Sequence, residues 1–212
     1  MSEVVPWAVV AAFAALDWYA VWRASASLER FAKPATLLAL TATAFWLGAL
    51  DSPAGRWLLV ALGLCLVGDV TLLRDSPPRF LAGLGAFLLG HLAFVAAFLA
   101  RGLEQPGRAV VALLVLAILA AAVVRRVLSG ARREGGWALA GPVAAYILVI
   151  SALLLAAWMT GDLVVALGAT AFAVSDSILA LNRFARARVW APLAVMVTYH
   201  VAQVMIVVGM LR

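Results

Sequence analysis

Polar residues along the chain come in short groups that separate eight long apolar runs. Closed by charge or by Pro and Gly, the runs cover about 4 to 22, 34 to 50, 56 to 73, 80 to 100, 109 to 127, 137 to 159, 162 to 182 and 190 to 211. Each is close to the roughly 20 residues that an α-helix needs to cross the hydrocarbon core of a bilayer. The connections read 23 to 33, 51 to 55, 74 to 79, 101 to 108, 128 to 136, a tight Thr160-Gly161, and 183 to 189. The pattern predicts an all-α polytopic membrane protein, with eight transmembrane helices in one domain over 1 to 212. Eight such helices use about 160 positions, which leaves no room for a separate soluble catalytic module.

Composition supports this reading. Hydrophobic residues make up 67% of the chain and charged residues 12%, a balance that cannot cover a soluble domain of this size with polar surface. The net charge of +6 is almost all arginine, scattered between the apolar runs instead of forming one basic face, which argues against nucleic acid as a partner. Cys65, the single cysteine, lies inside an apolar run, so neither an intrachain disulfide nor a thiolate metal cluster is available. The first run follows Met-Ser-Glu without a basic residue and precedes many more runs, and is expected to be a retained helix and not a cleaved signal. Arg and Lys also set an orientation. The first, third, fifth and seventh connections hold twelve of them, and the opposite side holds Arg56, Arg101, Arg108 and Arg212. By the positive-inside rule the odd connections lie in the cytoplasm and both termini lie outside it. The arginine-rich, lysine-poor usage points to a GC-rich bacterial genome and hence to a bacterial inner membrane.

Within the spans, ionisable residues are costly enough to call for a function. Asp17, Asp69 and Asp176 sit late in the first, third and seventh runs, all in the expected cytoplasmic half. By helical rise Asp69 lies roughly 7 Å above Arg74 and Asp176 roughly 10 Å above Arg183, so the two share nearly one depth. Lys33, opening the second run, and Asn182-Arg183, closing the seventh, are expected to ring the mouth of a cavity there. His91, Tyr146, Tyr199, His200 and Gln203 approach it from the midplane, and Ser175 and Ser177 flank Asp176. Two carboxyls gathered in a low-dielectric pocket can serve as acid and base without a metal. Asp17 is different. Beside Trp18 and Tyr19, and about 9 Å by helical rise from Arg23, it reads as a side chain reaching the interface.

The two halves also echo one another. Gly68-Asp69-Val70-Thr71-Leu72-Leu73 aligns with Ser175-Asp176-Ser177-Ile178-Leu179-Ala180 at an offset of 107, His91 with His200 at 109, and Pro34 with Pro142 at 108. An even number of spans per half would make this a parallel repeat with the two aspartates at matched depth. Other features are read as structural. The two histidines show no metal-ligand spacing. The tryptophans cluster at run ends as an aromatic belt. Gly83, Gly85 and Gly90 suit close helix contact. Gly-x-Ser-x-Gly and phosphate-loop patterns are absent.

The segment Ala173-Val-Ser-Asp-Ser-Ile-Leu-Ala-Leu-Asn-Arg-Phe184, then Thr198-Tyr199-His-Val-Ala202-Gln203, with Val67-Gly-Asp-Val-Thr-Leu-Leu73, Gly90-His91-Leu-Ala-Phe94 and Lys33-Pro34, resembles the YhhN-like lysoplasmalogenase family of integral membrane proteins. The likeness spans roughly residues 30 to 210, and His200 stands where the family usually carries a second tyrosine. The resemblance implies a hydrolase of the lysoplasmalogen vinyl ether, needing no cofactor, with lysophospholipid as substrate and membrane lipid as surroundings. It also implies that Asp69 and Asp176 are the family's two membrane aspartates. Lys33 and Arg183 would then meet the phosphate, and His91, Tyr146, Ser175, Asn182, Tyr199 and Gln203 would line the substrate site. Two other classes use buried acids. An intramembrane aspartyl protease would need glycine at position 66, where this chain has Leu66. A proton-coupled transporter is the stronger rival, but Pro34 and Pro142 sit near run starts, where they break little.

Overall fold

The computed structural model describes residues 4–74 and 76–212, and all regular structure in them is helical. The Met-Ser-Glu leader and Asp75 of the third connection lie outside the described residues. The helices group into two compact bodies, one of residues up to Ala100 with the last three of the chain, the other of residues 101–209.

In the first body, α1 (Val4–Trp22) packs along α2 (Ala26–Trp46). Its buried residues, Val10, Ala14, Asp17 and Ala20, recur at three- and four-residue steps, the stripe of a helix covered on one side. The expected loop over 23 to 33 is corrected: only 23–25 turn the chain, and α2 then runs straight through Pro34. Ala-Ser-Leu-Glu-Arg-Phe-Ala-Lys is built of helix formers, and Pro34 removes one backbone donor without ending the helix. This extension places Lys33 inside a helix. A 3₁₀ turn, Ala49–Asp51, leads to α3 (Pro53–Leu72), where Pro53 opens the helix and Ser52 Oγ accepts from the Gly55 N–H at 3.0 Å. α4 (Pro77–Arg101) follows. Small residues bring α3 and α4 together: a Cβ on Gly68 would lie 2.6 Å from the Phe87 ring, one on Gly83 2.6 Å from Leu72, and one on Gly90 3.0 Å from Cys65 Sγ. Gly85 takes no part in this, since among the described residues nothing lies within 4 Å of a Cβ there.

In the second body, α5 (Ala109–Leu119) passes through a π turn, Ala120–Val124, into α6 (Arg125–Met159). The expected loop at 128 to 136 is therefore mostly helix. The break is confined to Gly135 and Gly136, and Gly136, at φ 61° and ψ −150°, is in a conformation that only glycine adopts readily. Gly130 is required for a different reason: a Cβ there would fall 1.9 Å from the Phe184 carbonyl oxygen. α7 (Leu163–Phe184) is capped by Asp162, whose carboxylate accepts from the N–H groups of Val164 and Val165 at 2.8 and 3.2 Å and pairs with Arg101 at 3.0 Å. α8 (Ala191–Leu211) lies against α7, with the position of a Gly168 Cβ only 3.0 Å from the Ile206 backbone nitrogen.

Among the described residues six helical stretches are long and apolar enough to cross a membrane: α1, α3, α4, the run Pro106–Met159, α7 and α8. α2 falls short because Glu29, Arg30 and Lys33 occupy its first third. Outward faces are apolar. Val110, Leu114, Ile118 and Leu148 are 61%, 61%, 70% and 71% exposed, a surface suited to lipid and not to water. The chain is an integral membrane protein.

Candidate active site residues in two clusters

The first cluster is built on α1, α2 and α3. Asp69 is 1% exposed, and its Oδ1 lies 3.3 Å from the Nζ of Lys33, itself 7% exposed. Lys33 is the only lysine in the chain. A lone carboxylate at this depth would be prohibitive, and the ammonium reaching across from α2 compensates it. Lys33, expected at the cavity mouth on a phosphate, is thus an ion-pair partner of Asp69. Asp17 corrects its own expectation: it is fully buried instead of reaching the interface. On α4, buried His91 donates from Nδ1 to the Phe87 carbonyl at 2.6 Å, one turn back. The Phe87 ring is the one that packs on Gly68, next to Asp69.

The second cluster is built on α6, α7 and α8. The Tyr146 hydroxyl donates to Asp176 Oδ2 at 2.8 Å, which orients the carboxyl from the neighbouring helix. Beside it, the buried Ser175 hydroxyl donates to the Val195 carbonyl at 3.0 Å and ties α7 to α8. Phe172, one helical turn before Asp176, meets the Tyr199 ring edge-on with centroids 5.4 Å apart, and Tyr199 in turn contacts His200. Gln203, one turn further along α8, is fully buried, and among the described residues neither amide atom has a hydrogen-bond partner. Such an amide is costly in a folded interior.

Toward the end of α7 two residues expected at a headgroup hold protein groups. Asn182 Oδ1 accepts from the Arg188 N–H at 2.7 Å, shaping the turn into α8. Arg183 forms a two-pronged pair with Glu134, Nη1 to Oε2 at 3.1 Å and Nη2 to Oε1, with both side chains well exposed. Glu134 went unread in the sequence; its signal is a lone acid at the end of an arginine-rich run, just before the Gly135-Gly136 break. Among the described residues no three His, Cys, Asp or Glu side chains gather as a metal site would need.

Asp69 and Asp176, each with a cationic or hydroxyl partner on a neighbouring helix, place polar groups inside the apolar helices of an integral membrane protein. Comparison with known proteins agrees. Residues 28–210 match the YhhN family, and the chain belongs to that family. It is 33% identical to human Lysoplasmalogenase TMEM86B over 92% of this chain and 82% of that protein. It is also 33% identical to the Lysoplasmalogenase of Mycobacterium bovis and to that of Mycobacterium tuberculosis, over 84% of this chain and 67% of each. No solved structure matches it.

Proposed function

We propose that the chain is a lysoplasmalogenase: it hydrolyses the vinyl ether of a lysoplasmalogen to a fatty aldehyde and a glycerophospho-ethanolamine or glycerophosphocholine. The observation that carries this reading is the 33% identity to human and mycobacterial lysoplasmalogenases over most of the chain. In the reaction a proton adds to the alkene carbon remote from oxygen, leaving an oxocarbenium ion. Water adds to that ion and loses a proton, and the resulting hemiacetal collapses to aldehyde and alcohol. One acid and one anion serve such a path, as paired carboxyls do at sugar oxocarbenium centres. Asp69, in its ion pair with Lys33, suits the anion that steadies the cation and aligns the water. Asp176, held by the Tyr146 hydroxyl, suits the proton donor.

Arg183 binds the lipid phosphate in this reading. Its exposed pair with Glu134 is the kind worth only about 0–1 kcal/mol, so a phosphate can take the guanidinium over without a large loss. Tyr199, His91 and the Gln203 amide line the path of the substrate, whereas Ser175 and Asn182 hold the local structure. The topology that suits this is eight spans in two parallel halves, with both termini outside the cytoplasm of a bacterial inner membrane. The helix break at Gly135-Gly136 supports separate fifth and sixth spans. The test is incubation of the purified protein with vinyl ether, alkyl ether and acyl lysolipids. Aldehyde from the vinyl ether alone is expected; fatty acid from the acyl lipid, or no product, overturns the reading.

A further inference from the structure

Arg183 and Glu134 reach each other from α7 and α6 in a two-pronged pair, Nη1 to Oε2 at 3.1 Å and Nη2 to Oε1, with side chains 40% and 39% exposed. Counted with their ends, the fifth and seventh connections carry seven arginines, and Glu134 is their one acid. Its place goes against local preference. It is the last residue before the non-helical Gly135 and Gly136, at the carbonyl end of a helical stretch, where a negative charge is disfavoured. Nor does an acid there help a phosphate, since a carboxylate beside the guanidinium repels any anion that comes to it. What Glu134 supplies is an opposite charge next to the cation.

A zwitterionic headgroup carries the same two charges in the reverse sense. Four bonds join the phosphorus of phosphocholine or phosphoethanolamine to its nitrogen, about 5 Å when extended at bond lengths near 1.5 Å, which is close to the spacing of the two charges in a two-pronged pair. When a phosphate takes the fork of Arg183, the displaced carboxylate is left beside an anion unless the lipid brings its own cation. The depth also fits. Seven bonds separate the phosphorus of a lysoplasmalogen from the alkene carbon that takes the proton, about 9 Å extended, against a helical rise of roughly 10 Å from Asp176 to Arg183. A headgroup seated on this pair therefore leaves the vinyl ether at Asp176.

We propose that Glu134 is a specificity-determining residue, holding the ammonium of a zwitterionic headgroup while Arg183 holds its phosphate, and so selecting against lipids of net negative charge. This rests on the lysoplasmalogenase reading and on the phosphate role given there to Arg183. The experiment compares aldehyde release from a lysoplasmenylcholine and from its phosphoglycerol counterpart, which has the same vinyl ether chain and no ammonium, with the full chain in detergent. The unaltered protein is expected to favour the choline lipid. Glu134→Gln removes the charge and keeps the shape; it is expected to raise KM for the choline lipid and lower it for the phosphoglycerol lipid, moving the ratio of the two kcat/KM values about fivefold, as befits an exposed charge pair. Loss of a merely structural contact would change both lipids alike. Should Glu134→Gln not accumulate in the membrane, Glu134→Ala is read in the same way. An unaltered protein without preference, a ratio that moves less than twofold, or an equal change on both lipids overturns the inference. No aldehyde from the unaltered protein with either lipid would instead overturn the lysoplasmalogenase reading on which it rests.

Discussion

Replacing Lys33 with methionine keeps the volume of the side chain and removes its charge, leaving the Asp69 carboxylate without the ammonium that sits 3.3 Å from it. The pair is shielded, with side chains 9% and 1% exposed, so water cannot take over the role of the lost cation. Removing one partner of a buried ion pair costs about 3–5 kcal/mol. For a chain of this size each kcal/mol moves the melting temperature by about 2–4 °C, so Lys33→Met should melt about 6–20 °C lower. The same arithmetic predicts rescue. Adding Asp69→Asn removes the stranded charge, and the double variant should regain most of the loss, because a buried pair exchanged for neutral groups is often close to neutral in stability. Heat unfolding in detergent, followed by tryptophan fluorescence and checked by gel filtration, measures both. A shift below about 2 °C in Lys33→Met, or a double variant no more stable than Lys33→Met, would refute the buried-pair argument.

Tyr146→Phe removes the hydroxyl that donates to Asp176 at 2.8 Å; a hydrogen bond to the neutral, proton-donating acid is worth about 0.5–1.5 kcal/mol, so kcat/KM for aldehyde release should fall about 2- to 13-fold. Arg183→Ala should raise KM for the lysolipid several-fold with kcat nearly unchanged, and an unchanged KM would remove the phosphate role. Ser175→Ala breaks the buried tie to Val195 and should lower stability by about 1 kcal/mol while sparing kcat and KM, whereas a lost kcat would return Ser175 to the chemistry.

The helical plan was legible because most helices are built on long apolar runs: α1, Val4–Trp22, and the end of α6 at Met159 fall where hydropathy put them. Errors arose where charge was taken for loop. Residues 26–33 and 128–134 are helical by propensity yet polar enough to read as connections, and hydropathy cannot separate the two. The error at 26–33 hid the Lys33–Asp69 pair, because that contact exists only if Lys33 is already inside α2. Asp17 was misread from its aromatic neighbours, although Ala14 and Ala20, sharing its face, already marked a buried stripe. Asp69, Asp176 and Tyr146 were legible as candidates, since polar groups in apolar runs stand out. Which group each one meets was not, since those contacts join helices far apart in sequence.

Aldehyde release from one lysoplasmenyl lipid by Asp69→Asn, Asp176→Asn and the combined variant, compared as correctly folded proteins, tests the central claim that both carboxyls act in one reaction. Each single change should lower kcat by about a thousandfold or more, and the combination should be no slower than the weaker single variant, as for groups that work as a unit. Either single variant retaining a rate within tenfold of the unaltered enzyme would contradict the claim.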